Sequence, residues 1–258
     1  MNNVRIDSRN PVHRQLSDKP VYRAAPVPKP FSAISLADPE NWLSAQVAEV
    51  GCFHAASSAH RPQTQARVLF DPQTLYVRFD VADRYVRSVR TEAQALVSKD
   101  SCVEFFVQPA GSIGYFNFEV NAGGAMLVYF IEDPQRGERT LFRKYAELPV
   151  PLVKSIPVFH TLPTIVEPES TDAVNWTVAF SVPKSLFELF VPGAWSRRDR
   201  PWHCNFFKCG DETSHPHWAS WSDIGETLRF HQPDKFAQLL FDLRGTPALQ
   251  ALSTEGIS

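Results

Sequence analysis

Apolar and polar residues alternate along much of the chain with a period of two. Leu75, Val77, Phe79 and Val81 fall on one face of a strand, and Tyr76, Arg78 and Asp80 on the other. The stretch Asp71-Pro-Gln-Thr before it has turn chemistry, so residues 66–70 and 75–81 are predicted to form a hairpin. The same period marks 101–107, 115–121, 125–131, 176–182 and 202–208, while 236–243 is apolar nearly throughout. Arg87 to Ser98 is a weaker helix candidate. Pro183, ahead of Lys184 to Phe190, suits the first turn of a short helix. Segments 132–172 and 191–201, rich in proline and charge, read as long connections. Residues 1–30, with Pro11, Pro20, Pro26, Pro28 and Pro30, read as an extended N-terminal arm, and residues 246–258 as a C-terminal tail. Between them, residues 31–245 are expected to form one all-β domain. Its predicted architecture is an antiparallel, immunoglobulin-like β-sandwich of roughly ten strands with few short helices.

Composition supports this reading. Among 258 residues, 21 Pro and 19 Phe stand against 11 Gly and 2 Met, a mixture that breaks long helices and favours short strands with large buried rings. With 26 basic and 28 acidic residues the net charge is −2, which argues against a phosphate backbone or an anionic membrane surface as partner. No apolar run approaches the ~20 residues of a membrane helix. The first thirty residues hold no apolar core of a secretion signal. Four cysteines are too few and too scattered for a disulfide framework.

The polar faces of the strands carry the candidate chemistry. Glu104 alternates with Val103 and Phe105. Asn117, Glu119 and Asn121 share the polar face of the next strand, and Asn205 and Phe207 the outward face of 202–208. Were these strands neighbours, the residues would form a ladder of carboxylates, carboxamides and a ring. Sugar recognition uses such a surface: hydroxyls need donors and acceptors in a plane, and the C–H face of a sugar ring stacks on an aromatic. A solvated outer face of any antiparallel sheet has the same pattern. Glu104 and Glu119 also resemble the paired carboxylates of a glycoside hydrolase, which stand about 5 Å apart in retaining enzymes.

The strings LYVRFDVADRYV (75–86), DSCVEFFV (100–107), FNFEVNAGG (116–124), NFFKCGDETSHPHWASWSDI (205–224) and FHQPDKFAQLLF (230–241), in this order, resemble a family 9 carbohydrate-binding module. They are closer still to the free-standing family 9-like proteins of bacteria. The resemblance spans about residues 31–243. It implies a sandwich related to the DOMON superfamily, binding a plant-type polysaccharide of the xylan or cellulose class, in a secreted or periplasmic protein. In xylanase-attached members two tryptophans sandwich a sugar. The matching positions here are Val97 and Phe230, and an Arg of those members is matched by Glu119, whereas Glu104 and Asn121 agree. The expected ligand-binding set is therefore Glu104, Asn117, Glu119, Asn121, Asn205, Phe207, Trp218, Phe230 and His231, with Phe207, Phe230 or Trp218 as platform.

No cofactor is required by this reading. The resemblance implies structural calcium, for which Asp80, Asp83, Asp211 and Asp223 offer oxygen ligands. His203, Cys204, Cys209, His215 and His217 invite zinc, but Cys204 and Cys209 would point to opposite faces of a strand, unlike a zinc knuckle. Haem, with Met126 the one methionine besides the initiator, is disfavoured. Three functional readings stand at this point. The first is non-catalytic binding of a neutral glycan in carbohydrate catabolism. The others are hydrolysis through Glu104 and Glu119, and an interaction domain with a decayed sugar site.

Overall fold

The computed structural model describes residues 19–244, so the expected tail and the first eighteen residues of the expected arm lie outside the described residues. The strands run in the order β1 Val21–Pro26, β2 Ala48–Glu49, β3 Cys52–Phe53, β4 Gln63–Phe70, β5 Thr74–Asp83, β6 Val86–Ser88, β7 Cys102–Gln108 and β8 Tyr115–Asn121. They continue as β9 Met126–Asp133, β10 Lys144–Glu147, β11 Val158–His160, β12 Val166–Ser170, β13 Val174–Pro183, β14 Trp202–Cys209, β15 Trp218–Ser220 and β16 Ala237–Phe241. Three short helices, α1 Ala33–Ala37, α2 Val150–Lys154 and α3 Lys184–Phe190, sit between them. None is long and apolar enough to cross a membrane.

Hydrogen bonds join the strands in the order β10-β9-β8-β7-β14-β16-β1-β4-β5-β13-β11. This one sheet curls until its two halves face each other. One core cluster draws its side chains from both halves: the rings of Phe79 and Phe206 meet at 6.0 Å, and those of Phe118 and Phe180 at 5.8 Å. The predicted hairpin is present as β4–β5. Its turn is held by Asp71, whose carboxylate accepts from the amide of Gln73 and the hydroxyl of Tyr76.

The sheet is mixed, which corrects the expectation of an antiparallel sandwich. β1 runs parallel to β16, from Val21 opposite Gln238 to Ala24 opposite Phe241, and parallel to β4 at Ala25 and Pro26. Residues 21–26 are extended and packed at the join of the two halves. Tyr22 and Ala24 are buried, and the Tyr22 hydroxyl accepts from the amide of Val68. A parallel strand has no hairpin turn to announce it, and Pro26 stands at the strand's last position, where a missing N–H is tolerated.

Two further expectations fail locally. Arg87 to Ser98 is not a helix. β6 occupies its start, and the amides of Val89 and Arg90 donate to the buried carboxylate of Asp100, which holds this segment in turns. Segment 132–172 is more structured than a connection, containing β10, α2, β11 and β12. These strands pair at sheet edges or in a separate two-stranded ribbon, where burial is partial and alternation weak.

At one end of the sandwich the halves are tied by charge. Lys208 of β14 and Asp83 of β5 have side chains 0% and 1% exposed, with Nζ 3.4 Å from Oδ2. Asp83 also accepts from Trp176 Nε1 at 3.1 Å and shares a 2.8 Å hydrogen bond with His60 Nε2, while Lys208 Nζ lies 2.7 Å from His217 Nε2. Burial by itself would raise the Asp83 pKa, yet Lys208 and His60 hold it well below the usual carboxylate range. Burial and the Lys208 charge together push His217 down to about 3, so this imidazole is neutral and can accept from the ammonium. Removing one partner of such a pair leaves a buried, uncompensated charge. Lys208→Met is expected to lower the unfolding free energy in urea by about 3–5 kcal/mol, with part of the loss recovered when Asp83→Asn is added.

Candidate functional site

The outer face of β7, β8, β9 and β14 is not solvated. A second layer covers it, built from the segment around Val97, the loop after β9 with Phe142, and the chain between β14 and β16 with Ile224, Phe230 and Phe236. The polar ladder read from the sequence therefore exists but is buried. In register, Glu104 lies opposite Glu119, and Phe106 opposite Asn117, which in turn faces Tyr129.

Over the ladder the layer leaves a cavity of about 230 Å³. Its floor is Asn117 and Glu119, its walls include Leu127, Tyr129, Phe142 and His231, and its mouth carries Leu96, Leu141, Arg136 and Arg229. Asn117 accepts from the Tyr129 amide at 2.8 Å and donates through Nδ2 to Glu119 Oε1 at 2.7 Å, which fixes the carboxyl in place. His231 shares a 2.9 Å hydrogen bond with the Tyr115 hydroxyl and packs against the rings of Phe106 and Phe142.

Burial dominates the electrostatics of the floor. It raises Glu119 to about 7, against the Asn117 hydrogen bond, and raises Glu104 well above the usual value, helped by neighbouring Cys209 and Glu119. It also pushes His231 down to about 3, with Arg229 acting in the same direction. At neutral pH the site thus holds a neutral imidazole and a carboxyl poised between its two forms. Such a group both donates and accepts hydrogen bonds, as a sugar hydroxyl does.

Of the residues expected to bind ligand, Asn117, Glu119 and His231 line this cavity. The others do not. Glu104, 2% exposed, lies beside Glu119 and accepts from the Cys209 thiol at 3.2 Å. Asn121 donates to Arg90 O and Asp100 and accepts from the Ala125 amide, so backbone and Asp100 use its capacity. Asn205 is committed in the same way to both backbone groups of Ser222. Phe207 is buried, with Phe230 stacked on it at 4.2 Å and 15°, so the two rings serve each other. Trp218 packs on the outer layer and donates to Asp211 Oδ1 at 2.7 Å. Val97 is buried in the layer, and it is Leu96, 49% exposed, that stands at the cavity mouth. Hydrolysis through two carboxyls needs both to face the substrate. Here Glu119 lines the cavity and Glu104 does not.

Leu96, Tyr129, Arg136, Phe142 and Arg229 escaped the sequence reading. Tyr129 alone carried a signal, since it shares its strand face with Leu127 and Ile131 and lies directly opposite Asn117 of the ladder. The rest sit on irregular segments without a period.

The aspartates suggested for calcium do not converge. Asp80 is held by Arg67, Arg78 and Thr177, Asp83 by Lys208, His60 and Trp176, Asp211 by Trp218, and Asp223 by the Gly225 amide. The residues present thus do not form a calcium cage. Among the described residues the one set of three metal-type donors is Cys102, Glu104 and Cys209, all buried. Cys204, in the inner core, is on the other side of the sheet.

Comparison with known proteins agrees with this architecture. No curated protein matches the chain significantly. A protein of Bacteroides uniformis ATCC 8492 named for carbohydrate binding shares the fold at a TM-score of 0.73, with 22% identity over 87% of this chain and 100% of its own. A family 9 carbohydrate-binding module from Caldicellulosiruptor kristjanssonii was solved with cellotriose and with glucose. The cellotriose complex superposes at a TM-score of 0.52, 11% identity, over 85% of this chain and 93% of its own. The glucose complex gives 0.51 and 10%, over 85% and 95%. The family model for carbohydrate-binding family 9 matches residues 39–241, nearly the whole sandwich and every wall of the cavity, and the chain therefore belongs to carbohydrate-binding family 9.

Proposed function

We propose that this protein is a non-catalytic carbohydrate-binding protein whose ligand enters the cavity over Asn117 and Glu119. The observation that carries the reading is the combination, in one half-open cavity, of a carboxyl held in place by a carboxamide with the rings of Tyr129, Phe142 and His231. Family 9 membership and the sugars bound by the Caldicellulosiruptor module support it. A volume of about 230 Å³ is below the ~300–1,000 Å³ of drug-sized sites, so the occupant is one or two sugar rings rather than a long chain. Terminal units of a plant polysaccharide of the xylan or cellulose class fit that size. The calcium that the family resemblance implies has no role in this reading.

The aliphatic Leu96 at the mouth contributes less to a sugar's C–H face than an aromatic wall would. Leu96→Trp is expected to strengthen binding about two- to tenfold, because a stacking ring adds roughly 0.5–1.5 kcal/mol. Glu119→Ala is expected to weaken binding by a similar factor through loss of its hydrogen bonds. Calorimetry with glucose and with cello- and xylo-oligosaccharides reads both. Absence of heat for every sugar with the folded wild-type protein would overturn the proposal.

The Glu119 carboxyl gives a second, ligand-free test. Its folded pKa of about 7 is above the ordinary 4.5, so the folded state holds a proton that the unfolded chain releases earlier. The stabilisation is complete below about pH 4.5 and is lost as pH rises through about 7. The buried, neutral His217 and His231 tilt stability the other way below about pH 6.5, so the reading is the difference between two proteins: the unfolding free energy of the wild type relative to Glu119→Gln should fall as pH rises from 5 to 8.

A further inference from the structure

The net charge of −2 averages over the whole molecule, and the cavity mouth differs from the average. Arg136, on the loop after β9, and Arg229, between β15 and β16, are far apart in the chain yet line the same opening. Both are exposed. Arginines elsewhere are held either by acids, as Arg67 and Arg78 by Asp80, Arg87 by Glu167, and Arg90 by Asp100 and Glu212, or by backbone carbonyls, as Arg61, Arg197 and Arg198. Among the described residues no carboxylate forms an ion pair with Arg136 or Arg229. The one carboxyl in the cavity, Glu119, is on the floor, is fixed by Asn117 and is 7% exposed. The charge of Arg229 is felt instead by the Tyr115 hydroxyl and the His231 ring.

Two cations brought together over a floor whose acid is half protonated near pH 7 make a positive rim on a hydrogen-bonding pocket. A neutral sugar uses only the pocket. We infer that the sugar this cavity selects bears a carboxylate, that is, a uronic acid unit whose hydroxyls reach Asn117 and Glu119 while its carboxylate meets Arg136 and Arg229. Guanidinium suits this role because its planar fork matches a carboxylate with two parallel hydrogen bonds, stronger than neutral ones. The inference rests on the carbohydrate-binding reading above and replaces its neutral glycan with an acidic one.

The test is calorimetry at pH 7 with glucose, xylose, glucuronate and galacturonate, on the wild type and on Arg136→Gln, Arg229→Gln and the double variant. Both arginines are exposed, so the variants should fold as the wild type does, which circular dichroism checks. A uronate is expected to bind about tenfold more tightly than its neutral counterpart. That advantage should shrink in each single variant, vanish in the double variant and fall with added sodium chloride, by more than any change in glucose affinity. Equal or tighter binding of glucose by the wild type, or a uronate advantage that survives in the double variant, would overturn the inference alone. If no sugar of either class binds the folded wild type, the carbohydrate-binding reading fails and the inference falls with it.

Discussion

The Lys208–Asp83 ion pair is the constraint on which the arrangement of the two half-sheets depends. Apolar contact between the halves is extensive but non-directional, and rings such as Phe79 and Phe206 could meet in several registers. A buried ammonium and a buried carboxylate cannot. Each is tolerable inside the protein only opposite the other, with Trp176, His60 and His217 completing their hydrogen bonds. The end of β14 is thereby held at the end of β5. Because strands alternate, fixing Lys208 inward fixes Phe207 and Cys209 outward, toward the face where the cavity forms.

That face explains why much of the fold was legible in the sequence and much of the site was not. β5, β8, β13 and β14 were read almost to their ends because their alternation records a packed inner face, and α3 because Pro183 precedes it. Short edge strands such as β10 and β12 have no buried face to write a period, and β1 lacks a turn. The ladder of Glu104, Asn117, Glu119, Asn121 and Asn205 was identified correctly as a shared face. Its accessibility was not, because an alternating strand does not reveal whether its polar face meets water or a second layer. Asn121 and Asn205 were candidates by position, whereas their partners are backbone groups remote in sequence. Arg136, Phe142 and Arg229 come from irregular chain, where only three-dimensional proximity marks them as a group.

The division of labour within the molecule follows. The sheet supplies a floor whose polar groups are fixed by cross-strand register, and the covering segments decide which part of that floor is open and what charge surrounds it. Burial raises the floor carboxyls because the cover excludes water from them, so a change in a loop alters the chemistry of residues it does not contain. The likeness in fold to structures only 10–22% identical is consistent with a scaffold that keeps its strands while its loops diverge.

β1 has a consequence for how the chain acquires this shape. It is the earliest strand among the described residues, and it forms most of its pairs with β16, the latest. During synthesis β1 must wait, unpaired on that edge, until more than 200 residues later β16 emerges to meet it. Closing so long a loop is slow, and an open parallel edge is meanwhile available to other chains. Tyr22 and Ala24, buried in the finished core, lack their β16 neighbours throughout that interval. The strand that joins the halves of the finished sheet is thus also the segment that most needs protection while the protein is being made.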